Sequence, residues 1–388
     1  MRRRAVSSKT ERNERREALA AVAGKFASFR PAREVLKRVR AVPTIFPQFD
    51  HAVRVGGLPI ERFMLLHGPS GMGKTSFALG LIRSFLARDH FALLLDAERT
   101  TPIDWVEKMV GPLADHPGFL AERPTTYEDT ILKVRSFLNT TIALREKGKI
   151  PDDTAALIVV DSLRKLVPSD LMKEILSEVT AKSGTTAGRD RGAQLKAKMN
   201  AAWMDELVPL LEAAQCSFVA IAREMQDPDA DVWAKKFGTD YKVGGGGSIY
   251  YEASLVMRAE RAGWITHGEG KERLVYGERN RITIRKTKVA GKDDKVSVGY
   301  FNTSNGVLIP EGFDLARDLL QLGERLGVVK KSGSSFTCGG KKLGVGEHAA
   351  VKNITKDPEL LGWLDARVRE SFALAPPIEH DPDTGETT

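Results

Sequence analysis

The sequence has little of what marks secreted, metal-stapled or membrane-spanning proteins. Among 388 residues there are only two cysteines, Cys216 and Cys338, and seven histidines. The cysteines show no CxxC spacing and no neighbouring histidine cluster, which argues against a zinc site and a disulfide framework. Cys216 sits in the apolar run QCSFVAIA and is expected to be a small core residue. No apolar run approaches the roughly 20 residues needed to cross a bilayer. The first residues, MRRRAVSSKTERNERREALA, begin basic but never develop the apolar stretch of a signal peptide. These absences predict a cytoplasmic protein with no membrane partner.

What is present is an ordinary globular composition, 42% hydrophobic and 28% charged. The length leaves room for a large core domain with one or two smaller units. A net charge of +8 permits a polyanionic partner such as nucleic acid without requiring one.

Along the chain, residues 1–20 hold seven basic side chains and three acids, and ALAAVAGKFASF continues the helical period. Residues 1–40 therefore read as an N-terminal helix with a charged face and a linker containing Pro31. From about residue 57 strands and helices alternate. FMLLH (63–67), FALLLD (91–96), AALIVVD (155–161) and FVAIA (218–222) are near-continuous apolar strands, and TSFALGLIRSFLA (75–87) is an amphipathic helix. Strands apolar at every position suit a mostly parallel sheet covered by helices on both faces, hence an α/β core over residues 41–308. RITIRKTK (281–288) and KVSVGYF (295–301) alternate more and read as an antiparallel extension.

Two polar or glycine-rich segments, 177–192 and 225–247, are long enough to be functional loops. After Pro310 a helical pattern, a glycine-rich hairpin-like stretch and a last helix around 358–372 predict a small C-terminal α+β domain, 309–375. Residues 376–388 carry four acids and no Lys or Arg, the composition of a disordered acidic tail.

The sharpest motif is Gly68-Pro69-Ser70-Gly71-Met72-Gly73-Lys74-Thr75, which fits G-x-x-x-x-G-K-[ST] with a strand before it and a helix after it. Glycines let backbone N–H groups turn inward onto phosphate oxygens, and the helix adds its positive end. Lys74 supplies charge to the outer phosphates, and the Thr75 hydroxyl is a Mg²⁺ ligand, so ATP and Mg²⁺ are the expected cofactors. Asp161 ends a strand where ligand-contacting groups gather and is the candidate acid for the metal shell; capping the next helix is its plainer role. Glu98, just after Asp96, is placed to take a proton from the water attacking the γ-phosphate, or is simply a solvated strand-end acid.

In order, GGLPIERFMLLHGPSGMGKT, LLLDAE, LIVVDSL, VGGGGSIYYEASLVMR, RITIRKTKVA and LGVVKKSGSSFTCGGKKLGVGEHAAVKNITKDPELLGWL resemble bacterial RecA-type strand-exchange recombinases. The resemblance runs from about residue 10 to residue 372, and its divergence fits a phage or mobile-element version. It implies a filament-forming, DNA-dependent ATPase acting on single- and double-stranded DNA, with Glu98 as the catalytic glutamate.

By the same resemblance the two long segments are DNA-binding loops. Lys182, Arg189 and Arg191 belong to the first, with Lys196 opening the next helix. Trp233, Lys235, Lys236, Phe237, Tyr241, Lys242, Gly245 and Gly246 belong to the second, where aromatics and bases interleave as single-stranded DNA binding favours. Lys286 and Lys288 match paired lysines that reach a neighbour's ATP, acting as an arginine finger does. Asp104 and Trp105 are candidates to flank adenine.

The chain departs from the family at Arg223-Glu224, where Glu224 aligns with a glutamine that senses the γ-phosphate. A carboxylate there repels phosphate unless Arg223 or Mg²⁺ compensates. The first loop region is also longer than usual. A ring-forming helicase or repair ATPase on the same core, and a non-catalytic regulator of a host recombinase, are the alternative functions.

Overall fold

Strands without a polar face can be stable only between two layers, and the fold supplies both. The computed structural model describes residues 9–23, 25, 32–36, 38–163, 167–170, 173, 187–227, 241–244, 247–267, 273–290 and 298–373. The chain divides into two compact units, residues 1–39 and residues 40–388. The first contains α1 (Lys9–Ala23) and α2 (Ala32–Val35). On α1 the apolar Leu19 and Val22 are exposed along with the charged residues.

The second unit runs β1 (Ala41–Val42), α3 (Pro47–Val53), β2 (Leu58–Pro59), β3 (Phe63–Gly68), α4 (Lys74–Leu86), β4 (Phe91–Asp96), α5 (Ile103–Val110), β5 (Phe119–Glu122), α6 (Tyr127–Glu146) and β6 (Ala156–Asp161). It continues with α7 (Ala187–Ala214), β7 (Cys216–Gln226), β8 (Tyr241–Val243), α8 (Gly247–Glu252), β9 (Leu255–His267), β10 (Leu274–Thr287), β11 (Val298–Ser304) and β12 (Gly312–Phe313). The central sheet has the order β12-β11-β10-β9-β3-β7-β6-β4-β5, with β8 pairing β7 off this path. From β5 to β9 all neighbours are parallel. β10, β11 and β12 extend the sheet antiparallel, as the alternation of their sequences predicts.

On one face Phe63, Leu65, Leu93, Leu95, Ile158, Val160 and Phe218 pack with Tyr127, Val134 and Leu138 of α6 and Trp203, Leu207 and Leu211 of α7. Residues one step along the same strands are equally buried, and α4 packs against β3, β4, β6 and β7. The strand period of two therefore sends alternate apolar residues into two different cores. Cys216 lies inside the first of these, buried and unpaired.

Behind α4 an aromatic cluster sets its distance. Phe46 lies 5.0 Å from Phe77 and 5.0 Å from Phe313, ring centroid to centroid. Gly80 makes the approach possible, since a Cβ there would fall 2.1 Å from the Phe46 ring.

The carboxyl-terminal part consists of α9 (Leu315–Arg325), β13 (Val329–Ser332), β14 (Ser335–Cys338), β15 (Lys341–Val345), α10 (Glu347–Lys356) and α11 (Pro358–Ala373). β13, β14 and β15 form an antiparallel sheet, and Leu320, Leu322, Phe336, Ile354 and Leu364 belong to a separate apolar cluster. Two parts of the sequence reading are corrected in extent. α7 begins at Ala187, so the first loop does not reach residue 192, and β9 is a long strand that the sequence reading leaves unassigned. No helix among the described residues is long and apolar enough to cross a membrane.

A largely buried ion pair ties α11 to α3 and to the segment just before it. The Arg369 guanidinium donates to Asp50 Oδ2 at 2.6 Å and to the Thr44 carbonyl at 2.7 Å. Thr44 Oγ1 donates to Asp50 Oδ1 at 2.7 Å. Burial still lifts the Asp50 carboxyl to about 7, against the pull of Arg369. Because the raised folded value favours the protonated acid, Asp50 contributes less stability as pH climbs from the ordinary carboxylate range through about 7. Arg369→Leu raises that proton affinity further. The variant is expected to lose about 3–5 kcal/mol near pH 8 and less below pH 6, read from urea denaturation at each pH. An unchanged midpoint at pH 8 would show the pair to be dispensable.

Candidate nucleotide site

Parallel strands end on one edge, and β3, β7 and β6 bring three chemically different ends together there. Gly68, the last residue of β3, registers with Arg223 of β7, and Asp161 ends β6 beside Asp96 of β4. Gly68 (φ 151°) passes so close to β9 that a Cβ would sit 2.4 Å from the Ala259 carbonyl oxygen. Gly71 and Gly73 take left-handed φ values of 74° and 73°, which lets the loop close on the first turn of α4.

Lys74 is buried, and its Nζ donates to the Gly68 and Pro69 carbonyls at 2.9 and 2.6 Å. Burial lowers its proton affinity and Arg223 adds to this, while Asp161 opposes both. Thr75 Oγ1 donates to Asp161 Oδ2 at 2.6 Å. Burial raises the Asp161 carboxyl to about 6, Glu98 and Asp96 adding to it and the Thr75 bond opposing it.

Glu98 closes the opposite wall. Its backbone N–H donates to the Asp161 carbonyl at 3.0 Å. Its side chain accepts from Ser162 Oγ at 2.7 Å and from the Arg223 guanidinium at 2.9 Å. The cleft of about 400 Å³ is lined by Ser70 to Thr75, Glu98, Trp105, Asp161 and Arg223, together with residues of β9, β10 and β11. That volume and a wall rich in donors suit a nucleotide. Thr75 and Asp161 offer two hard oxygen donors, which fits Mg²⁺, an ion that keeps several waters and takes phosphate oxygens for the rest.

The other expected residues fall in several places. Asp104 is exposed on α5 and does not line the cleft, whereas Trp105 does. Lys286 Nζ donates to the Tyr250 and Tyr251 carbonyls at 2.8 and 2.6 Å, and Lys288 Nζ to that of Glu252 at 3.4 Å. Both thus hold the carboxyl end of α8 and do not line the cleft. Arg189, Arg191 and Lys196 lie within α7, Lys196 in its interior rather than at its start. Tyr241 and Lys242 are on β8, which pairs Met225 with Lys242 and returns the second loop to β7. Lys182, Trp233, Lys235, Lys236, Phe237, Gly245 and Gly246 lie outside the described residues.

Glu224 does not line the cleft. Strand alternation turns Arg223 inward and sends Glu224 to the opposite face. There it accepts from Arg258 Nε at 2.6 Å and bonds His67 Nδ1 at 2.8 Å, while Arg258 lies over the Tyr241 ring at 4.3 Å. Burial works to raise the Glu224 carboxyl, and the bonds from His67 and Arg258 outweigh it and hold the group below its ordinary value. Glu224 is thus paired outside the cleft, and its charge still reaches Lys74.

The far wall of the cleft comes from residues that no sequence motif marks. Arg261 donates to the Gly71 carbonyl at 3.0 Å and stacks on Trp264. Asn280 is buried against Gly73, and its Oδ1 has no hydrogen-bond partner among the described residues. Only the polar residues inside the otherwise alternating β10 hinted at this.

Together the loop, the Thr75–Asp161 pair and the carboxylate facing them make this a P-loop ATPase core on a parallel sheet. Two domain matches narrow the class: the RecA N-terminal domain over residues 17–304 and the RecA C-terminal domain over residues 317–373. The chain belongs to the RecA family, whose members are DNA-dependent ATPases of recombination and repair. It is 25% identical to Protein RecA of Syntrophus aciditrophicus over 348 residues, covering 90% of this chain and 89% of that one. The RecA proteins of Frankia casuarinae (25% over 359 residues, 92% and 91% covered) and Mycolicibacterium vanbaalenii (24% over 358, 92% and 90%) are similarly related.

Glu224→Ala leaves the Arg258 guanidinium partly buried without its bidentate partner. Glu260 still pairs with Arg258, so the expected cost is roughly 1–2 kcal/mol of stability, measured by urea denaturation. A loss of ATP affinity in a variant of unchanged stability would instead return Glu224 to the phosphates.

Proposed function

We propose that the protein is an ATP-dependent recombinase that assembles head to tail on single-stranded DNA and pairs it with a homologous duplex. The observation that carries this is the complete set of Lys74, Thr75, Asp161 and Glu98 at one sheet edge, in a chain that also has the RecA C-terminal domain. A non-catalytic regulator has no use for that set.

In this reading Lys74 gives up the Gly68 and Pro69 carbonyls for phosphate oxygens. Thr75 and Asp161 hold Mg²⁺, which supplies charge neutralisation for phosphoryl transfer. Glu98 orients the attacking water and takes its proton. Lys286 and Lys288, lying outside their own cleft, serve the neighbour's ATP, so hydrolysis requires assembly. α1 is the contact that builds an open head-to-tail chain of subunits. The second loop, anchored at β7 and β8, and the segment before α7 meet the DNA. Such a protein works in the cytoplasm, and the acidic tail competes with DNA for basic surface.

Wild-type protein is expected to exchange strands in the presence of ATP, and Lys74→Ala to lose that activity along with ATP binding. Electron microscopy with ATP and single-stranded DNA is expected to show helical filaments; closed rings would favour a helicase. Lys286→Ala/Lys288→Ala and Glu98→Gln proteins should each hydrolyse ATP poorly, yet recover part of the DNA-dependent rate when mixed. No recovery in mixed assemblies would rule out a site shared between neighbours.

A further inference from the structure

The carboxyl-terminal part joins the central sheet through an acid that no cation neutralises directly. Asp318 of α9 is fully buried between β11 and α3. Its Oδ1 accepts from Asn302 Nδ2 at 2.8 Å and from Gln48 Nε2 at 3.4 Å, and its Oδ2 from the Asn302 backbone N–H at 3.4 Å. All three donors are neutral amides, and Asp318 forms no ion pair among the described residues. Asn302 Oδ1, on the side chain that makes the shortest of these bonds, is buried with no hydrogen-bond partner among the described residues. The joint thus holds a carboxyl among neutral donors and an acceptor without a donor.

The cations nearby are engaged elsewhere. On α9, Arg317 bonds Asp314 at 2.8 Å and Glu347 of α10 at 2.6 Å. Arg325, two turns further along, donates to Gln48 Oε1 at 3.0 Å and is close enough to His51 of α3 to disfavour its charge. Asp50 of α3 is taken by Arg369 of α11. From β10, Arg279 acts on Asp318 while its guanidinium lies over the Tyr300 ring at 4.2 Å. β13 and α11 meet α9 at Gly323 through the apolar Val329 and Val368. Burial pushes the Asp318 carboxyl well above the ordinary carboxylate range; Asp314, one turn away, adds to this, and the Asn302 bonds and Arg279 oppose it.

We propose that Asp318 is a proton-held latch: protonated, it fastens α9 to β11 and α3, and on losing the proton it releases them. A protonated carboxyl needs no cation and brings the O–H donor that Asn302 Oδ1 lacks. A carboxylate in the same place is a charge buried among amides, and opening α9 to water relieves it. The closed joint therefore keeps a proton that the opened state gives up. It is firmest at acid pH and weakens as pH rises from the ordinary carboxylate range upward. Strand alternation sets the latch behind the nucleotide cleft: Asn302 turns to α9, while Phe301 packs beside Gly73 and Thr303 lines the cleft. The latch works whatever the cleft binds.

The test is hydrogen exchange of full-length wild type, Asp318→Asn and Asp50→Asn, read by mass spectrometry from about pH 5.5 to about pH 8.5 and corrected for intrinsic exchange rates. In wild type the protection of α9 is expected to fall with pH, by up to roughly tenfold per pH unit for one proton released. α9 should also exchange ahead of β4 and β6, because its release is local. Asparagine keeps the acid's shape, a donor and an acceptor, and has no charge to gain. Asp318→Asn should therefore hold α9 at a protection that does not fall.

The same pH dependence in wild type and Asp318→Asn would overturn the latch. So would a fall that persists in Asp318→Asn and disappears in Asp50→Asn, which would assign the proton to Asp50. Equal protection of α9, β4 and β6 across the range would reduce Asp318 to a contributor to global stability and overturn it as well. Asp318→Leu, equally without charge, stands in if the asparagine variant does not fold, and a wild type whose α9 protection is flat with pH overturns the latch by itself.

Discussion

The fold depends on β3 lying between two parallel partners, β7 and β9, with no room for a side chain at its end. Gly68 meets the Ala259 carbonyl at a distance that excludes any Cβ, so the strand can leave the sheet only by turning at once into the phosphate loop. α4 then lies against the sheet at a depth fixed by a second glycine, Gly80, against Phe46. Between these two contacts Lys74 and Thr75 have little freedom of position. The Thr75–Asp161 bond registers the helix start against β6. The cleft is thus a product of strand order before it is a product of side-chain chemistry.

Charge in this cleft is balanced locally rather than by solvent. Lys74, Arg223, Asp161 and Glu98 lie within one another's fields, and burial moves Lys74 and Asp161 toward their neutral forms. A second set, His67, Glu224, Arg258, Glu260 and Arg281, sits on the other side of β7 and is similarly paired. A single strand step separates the two sets, which is why exchanging the sizes or charges of residues 223 and 224 would disturb both. Paired charges of this kind add less to stability than to the choice of one arrangement over others.

Much of this was legible in the sequence. Apolar strands without a polar face required a two-sided sheet, and the glycine spacing with Lys74 and Thr75 identified the phosphate loop. Other features were hidden for definable reasons. Which of Arg223 and Glu224 faces the cleft depends on strand phase at the end of β7, and the sequence marked that strand only as far as Ala222. Arg261 and Asn280 reach the cleft because β9 and β10 fold beside β3, a long-range pairing that no local pattern encodes. Lys286 and Lys288 could be matched by motif, but their hold on the carboxyl end of α8 follows from that same pairing.

The Asp50–Arg369 bond has a consequence for how the chain is made. Its partners are 319 residues apart. At ribosomal speeds of roughly 5–20 residues per second, Asp50 emerges some tens of seconds before the arginine that neutralises it. Throughout that interval α3 carries a carboxyl with no guanidinium to meet it, and burying it favours its protonated form. The last helix therefore supplies the partner of a carboxyl that the first part of the core has already placed.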